Sequence, residues 1–257
     1  MDIPQLIPLN ILLVGDSCSD EYLFGRAERL SPEAPVPIFD VERRESKGGM
    51  AANVFNNLVS LGNKVDFATN RHTTKKIRVI DLKSNQQLLR LDEGKQIDCF
   101  EIESVFTSPA KYDALVISDY DKGFLSLESM IELINMAQKN DIPVFIDSKK
   151  TNLFGVKNCF IKINQKEYDS LTIYPEGNEF IVTLGPNGAS WKDCIIPAKK
   201  RFVFDVCGAG DTFLAAFVSS YMSIRNIIKS IEFANECASI SVTKMGCHII
   251  SLSELGS

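Results

Sequence analysis

Three short apolar runs and one further strand-like run in this chain each end abruptly in an acidic or amide residue. Residues 11–14 run into Gly15-Asp16, residues 114–118 into Asp119-Tyr120, residues 144–146 into Asp147, and residues 160–163 into Asn164. Unbroken rather than alternating hydrophobicity fits strands covered on both faces, as in a parallel sheet. A helical pattern over residues 127–139 stands between two of the runs, the spacing of a right-handed strand–helix–strand crossover. The expected fold is therefore α/β: a doubly wound, mostly parallel sheet with helices on both faces. Ligands of such sheets bind beyond the carboxyl ends of the strands. That places Asp16, Asp20, Asp119, Asp147 and Lys149 at or near the rim of a cleft.

The densest chemistry lies late in the chain, in Asp205-Val206-Cys207-Gly208-Ala209-Gly210-Asp211-Thr212-Phe213. A β-like run over residues 201–204 precedes it, and a helix-like run over residues 214–222, free of Pro and Gly, follows. Small residues between a strand and a helix leave backbone N–H groups free at the positive end of a helix dipole, a site for an anion. Asp211 stands at the mouth of that nest. A carboxylate there can take a proton from a hydroxyl while the amides of Gly208, Ala209 and Gly210 hold a phosphoryl group in transfer. Read alone, the glycine string is a turn with Asp211 in the first helical turn. The acidic residues on both flanks favour the site.

At 257 residues and 45% hydrophobic content, the chain can bury the core of one large domain spanning 1–257. Its net charge of −5 argues against a nucleic-acid or membrane-surface partner. No apolar run approaches a membrane span, and the first residues do not read as a signal peptide. Seven Cys without a C-x-x-C pair and only two His argue against a zinc site or disulfide framework and for a reduced, cytoplasmic protein.

The late stretch resembles the D-T-x-G-A-G-D-T-F signature of the ribokinase-like (PfkB) sugar kinases, departing at Val206-Cys207. The resemblance implies Asp211 as catalytic base, the Gly208, Ala209 and Gly210 amides as anion hole, and Asp205 beside a monovalent cation such as K+. It narrows at Arg29-Leu30-Ser31-Pro32-Glu33-Ala34-Pro35-Val36-Pro37, which resembles the R-x-S-P-E-A-P-V-P segment of the D-glycero-β-D-manno-heptose-7-phosphate kinases. Its three prolines exclude a helix or a central strand and imply an extended edge segment, leading into a lid strand over residues 35–44.

Further motifs follow in that family's order. Asp20 ends a G-D-x-x-x-D pattern and would bind sugar hydroxyls. Gly49-Met50-Ala51-Ala52-Asn53 is similar to G-G-A-A-N, implying sugar contacts from Gly49 and Asn53; Met50 stands where the family has its second Gly. Thr73-Thr74-Lys75-Lys76-Ile77-Arg78-Val79 and residues 85–92, ending Arg90-Leu91-Asp92, resemble two further strand motifs. They give a second lid segment over residues 76–91 whose Lys76, Arg78 and Arg90 could meet a sugar phosphate. Asp119 would sit with them in the acceptor site. Asn164 and Glu167 fit an N-x-x-E element that organises Mg2+, through water at Glu167, and the ATP phosphates. Thr183, Gly185 and Gly188 border the nucleotide, and Asn235 of Phe233-Ala234-Asn235 lies near the adenine.

Two family segments are expected to be missing, a strand–helix unit after about residue 69 and a helix after about residue 170. The nucleotidyltransferase half often fused to these kinases, with its H-x-G-H-type motif, is expected to be absent. The function implied is ATP-dependent phosphorylation of the anomeric hydroxyl of a heptose 7-phosphate by a homodimer paired through its lids. Met50 and the shortening keep open a different sugar-phosphate acceptor, or a non-catalytic nucleotide- or sugar-binding regulator.

Overall fold

A computed structural model describes residues 3–72, 74–94, 97–102 and 111–256. Thr73, the first residue of one lid motif, lies outside them. The described residues form two sheets. The large one takes the apolar runs: β1 (Asn10–Gly15), β4 (Lys64–Ala68), β7 (Ala114–Asp119), β8 (Val144–Ser148), β9 (Phe160–Asn164) and β10 (Glu179–Thr183). These six run parallel, and β11 (Ala189–Trp191) and β12 (Cys194–Ile196) add an antiparallel edge, in the order β12-β11-β10-β9-β8-β7-β1-β4.

Strand alternation divides the core. Ile11 and Leu13 of β1 pack with α1 (Ala51–Ser60), α4 (Ala209–Ile224) and α5 (Ile227–Ser241), through Val54, Leu58, Phe213, Phe217 and Phe233. Leu12 and Val14 pack on the opposite face with α2 (Leu127–Gln138), through Met130, Leu133 and Ile134. Burial on both faces is why these strands read as unbroken apolar runs. Among the described residues, no helix is long and apolar enough to cross a membrane.

The small sheet is ordered β3-β2-β5-β6 and contains β2 (Ser17–Leu30), β3 (Pro37–Met50), β5 (Thr74–Asp81) and β6 (Gln86–Glu93). Only Asp16 separates β1 from β2, so the small sheet rises directly from the carboxyl end of the large one. After β4 the chain passes straight to β5, as the expected loss of a strand–helix unit requires. Between β9 and β10 stands only the short α3 (Gln165–Asp169), as the second expected loss requires.

Three local expectations need correction. Residues 201–204 form no strand; Phe202 is 81% exposed, and the segment is held by Phe204 N–H donating to the Val242 carbonyl at 2.7 Å. The proline-rich segment is not an extended edge but a turn at the tip of the small sheet, closed by Ser31 N–H on the Val36 carbonyl at 2.8 Å. The small sheet is also larger than residues 35–44 and 76–91. The long strand β2 went unread because its buried face carries Asp20 among Cys18, Tyr22 and Phe24, which breaks the hydrophobic alternation.

Candidate active site

Asp211 lies in the first turn of α4, 3% exposed, at the meeting of both sheets. Helices α2, α3 and α5 begin with side-chain caps from Ser126, Asn164 and Asn226. Helix α4 begins at Gly208, in the left-handed conformation (φ 76°), and like α1 it has no side-chain cap. The end of a helix without such a cap keeps its positive pole available to an external anion. Of the turn's amides, Ala209 N–H makes a long 3.3 Å bond to the Val206 carbonyl. A Cβ at Gly208 would crowd Asn53 Nδ2, so glycine is required there.

Asn53 Nδ2 donates to Asp211 Oδ2 at 2.9 Å, and Tyr120 Oη donates to Asp211 Oδ1 at 2.5 Å. Burial pushes the Asp211 carboxyl above its ordinary range, and these two hydrogen bonds pull it back. A carboxylate held by two donors and destabilised by desolvation is primed to accept a proton.

A run of alternating charges extends from this base across the carboxyl ends of β8 and β9. Lys162 Nζ, on a side chain 4% exposed, donates to Asp147 Oδ2 at 2.5 Å, and a Cβ at Gly210 would meet that ammonium at 2.8 Å. Lys149 Nζ reaches Asp147 Oδ1 at 3.2 Å and Glu167 Oε1 at 2.6 Å. The two ammonium groups hold Asp147 below its usual range although burial opposes them, and the carboxylates raise Lys149 against its own desolvation. Glu167 also closes a capping box: its Oε2 accepts Asn164 N–H at 2.8 Å, while Asn164 Oδ1 accepts Glu167 N–H at 2.9 Å.

The small sheet supplies the other wall. Parallel pairing sets Asp20 beside Lys76 and Tyr22 beside Arg78, and the β5–β6 register sets Arg78 opposite Arg90. All therefore share one face. Arg78 Nη1 donates to Asp20 Oδ1 at 2.6 Å, with Asp20 3% exposed. A Cβ at Gly49 would collide with the Asp20 carboxylate and crowd Cys18 Sγ, so Asp20 owes its place to that glycine. The Lys76 ammonium lies 5.7 Å from the centre of the Tyr120 ring. Arg90 instead forks onto its own neighbour, Asp92, at 2.7 and 2.6 Å.

Other expected site residues stand apart. Asp119, fully buried, accepts from Ser148 Oγ at 2.6 Å and from Asp121 N–H at 3.0 Å, so its carboxylate faces the next strand rather than Asp211. Asp16 accepts Tyr120 N–H at 2.6 Å and Phe124 N–H at 3.3 Å, anchoring the loop that carries Tyr120. Thr183 and Gly185 lie at the end of β10 and in the turn after it. Asn235 Nδ2 donates to the Ile196 carbonyl at 2.9 Å, where a Cβ at Gly188 would collide, so both serve the packing of that edge. Asp205 accepts the N–H groups of Cys207 and Gly246, each at 2.9 Å.

Tyr120 and Lys162 were not singled out from the sequence. Lys162 carries a signal there: a charge inside the apolar run of β9 demands a buried partner. Tyr120 carries one too, standing in Ser118-Asp119-Tyr120-Asp121-Lys122-Gly123, which resembles the S-D-Y-x-K-G of the heptose kinases.

Residues 68–254 match the profile of the pfkB family carbohydrate kinases. This chain belongs to that family. By kinship it is a carbohydrate kinase, and its fold is ribokinase-like. It is similar to the Bifunctional protein HldE of Sulfurimonas denitrificans, 33% identical over 312 aligned positions, covering 99% of this chain and 65% of that protein. It is 34% identical to the Bifunctional protein HldE of Nitratiruptor sp., covering 95% of this chain and 64% of that protein. The chain thus spans just under two thirds of these relatives. An alignment of 312 positions on 257 residues also requires gaps in this chain, in keeping with the missing segments.

Solved structures show the same fold. Phosphofructokinase-2 from Escherichia coli in complex with potassium superposes with a TM-score of 0.76 at 18% identity, covering 97% of each chain. Ribokinase from Thermotoga maritima gives 0.71 at 18% identity, covering 96% of this chain and 98% of that one.

Proposed function

We propose that this pfkB-family chain transfers the γ-phosphoryl group of ATP to the anomeric hydroxyl of a heptose 7-phosphate. The carrying observation is Asp211, buried at the uncapped start of α4 and held by Asn53 and Tyr120. Asp211 accepts the hydroxyl proton as the oxygen attacks. The amides of the Gly208–Gly210 turn and the Lys162 ammonium face the charge that develops on the transferring oxygens. Asp20 receives sugar hydroxyls, positioned by Arg78 and Gly49. Lys76 and Arg78 supply cations on one face of the small sheet for the distal phosphate, and Arg90 would join them once released from Asp92. The heptose assignment is supported by the Arg29–Pro37 resemblance and by the HldE relatives.

Among the described residues no cluster of three acidic, His or Cys side chains could hold a metal. Mg2+ keeps several waters and needs few protein carboxylates when phosphate oxygens are present. Glu167 would hold it through water once released from Lys149, and Mg2+ would offset triphosphate charge. Each oxygen of Asp205 already accepts one N–H and keeps a lone pair toward a monovalent cation, of the kind present in the E. coli structure. Leu89 and Leu91 are exposed and pair with Val79 and Ile77, leaving an apolar strip on the side of the small sheet away from Arg78. This supports a second copy of the chain covering it, as a homodimer, which light scattering in solution would read.

The direct test is ATP consumption with heptose 7-phosphate, the unphosphorylated heptose, and other sugar phosphates. The proposal expects the heptose 7-phosphate to show the highest kcat/KM. Preference for another sugar phosphate would move the acceptor assignment, a reading the strained Met50 (φ 59°, ψ −132°) favours, because a side chain stands there in a conformation suited to glycine.

A further inference from the structure

Two thiols meet beside the turn that opens α4. Cys207 Sγ lies 3.2 Å from Cys247 Sγ, across 40 residues of sequence. Asp205 builds this approach. One of its oxygens accepts Cys207 N–H and the other accepts Gly246 N–H, so a single carboxylate clamps the backbone at both thiols. Cys207 is part-exposed and Cys247 is buried, and neither is in a disulfide. Phosphoryl transfer as described above uses neither sulfur.

We propose that Cys207 and Cys247 form a dithiol modification site, which a hydroperoxide converts to a disulfide that disables the acceptor end of the cleft. The reachable Cys207 sulfur attacks the terminal peroxide oxygen. An S–O bond forms, the O–O bond breaks, and the alcohol or water leaves with the proton. The Cys247 sulfur then attacks Cys207; the S–S bond forms, the S–O bond breaks, and hydroxide leaves as water with the Cys247 proton. Two thiols lose two electrons and the peroxide gains them.

The consequence follows from what surrounds the sulfurs. A disulfide needs them about 2.05 Å apart, so one loop moves by roughly an ångström. Gly208 sits between Asn53 and Cys247, and a Cβ there would contact both. Cys207 Sγ lies 3.8 Å from Arg78 Nη2, and Cys247 Sγ lies 3.7 Å from Asp20 Oδ2. Bond formation therefore draws on the anion turn, on Asn53 and on the Asp20–Arg78 pair together. A displacement of about 1 Å in such a constellation costs on the order of 100-fold in rate.

The experiment uses the full chain with Cys99→Ser and Cys194→Ser, which removes two exposed thiols. The reduced protein is treated with hydrogen peroxide, then peptide-mapped and assayed in the same sample. A cross-linked Cys207–Cys247 peptide is expected, cleaved by dithiothreitol. Turnover should fall at least about tenfold on oxidation and return on reduction. In Cys247→Ala, Cys207 should stop at a sulfenic acid trapped by dimedone. Oxidised Cys207 without the cross-link in the folded protein overturns the proposal, as does a full cross-link with unchanged turnover. The effect on turnover rests on the kinase reading, whereas the map does not. A reduced chain inert toward every sugar would sink that reading and leave the map to decide the dithiol.

Discussion

Tyr120 Oη donates a 2.5 Å hydrogen bond to Asp211 Oδ1, joining the loop after β7 to the first turn of α4. The bond stabilises the ionised carboxylate against a burial that disfavours it. In Tyr120→Phe the Asp211 carboxyl rises further. A base must be ionised to act, so the acidic limb of the kcat/KM–pH profile should move to higher pH, with little change on the alkaline side. A profile that drops uniformly without shifting would assign Tyr120 to substrate contact instead.

Asp16 offers a separate test by stability. Burial, then the nearby Asp119 charge, pushes its carboxyl up to about 6. The folded protein therefore binds a proton below pH 6 that the unfolded chain, near 3.9, does not yet bind. Stability from this group rises as pH falls through 6, by about 1 kcal/mol between pH 7 and pH 5. Urea unfolding at both values should show this increment in the wild type and not in Asp16→Asn; an identical increment in both would refute it.

Gly49→Ala places a methyl group against the Asp20 carboxylate. The sugar KM should rise by at least about tenfold, while the nucleotide KM is retained. Steady-state kinetics with each substrate varied in turn would separate the two, and equal losses on both would show general unfolding.

Met50 holds φ 59° at the entry to α1 with its side chain 4% exposed. Ala ordinarily exceeds Gly in stability, but here only Gly relieves the backbone. Met50→Gly should unfold at higher urea than Met50→Ala, by about 1 kcal/mol. The usual order would mean that the conformation carries no strain.

The large sheet was legible because β1, β7 and β8 are covered on both faces and so read as apolar runs. The aromatic and apolar residues at 202–204 misled, because the chain leaves Phe202 in solvent and ties Phe204 by its backbone instead. Asp211, Asn53, Gly49, Asp20 and Arg78 were found from motifs and do converge. The ionic line Lys162–Asp147–Lys149–Glu167 was legible only in part, since it forms from the ends of separate strands that no sequence spacing relates. Arg90 and Asp119 stand in the expected motifs, but their pairing with Asp92 and Ser148 is a contact that no motif discloses.

Asp211→Asn is the most direct measurement, with turnover, nucleotide binding and stability read on one preparation. Loss of the base should reduce kcat by about 10²–10⁴-fold with nucleotide affinity retained. Because burial disfavours the Asp211 charge, the variant should also unfold at higher temperature at pH 7, and this gain should fade toward acid pH. Turnover within about tenfold of wild type, in a folded variant that still binds nucleotide, would contradict Asp211 as the base.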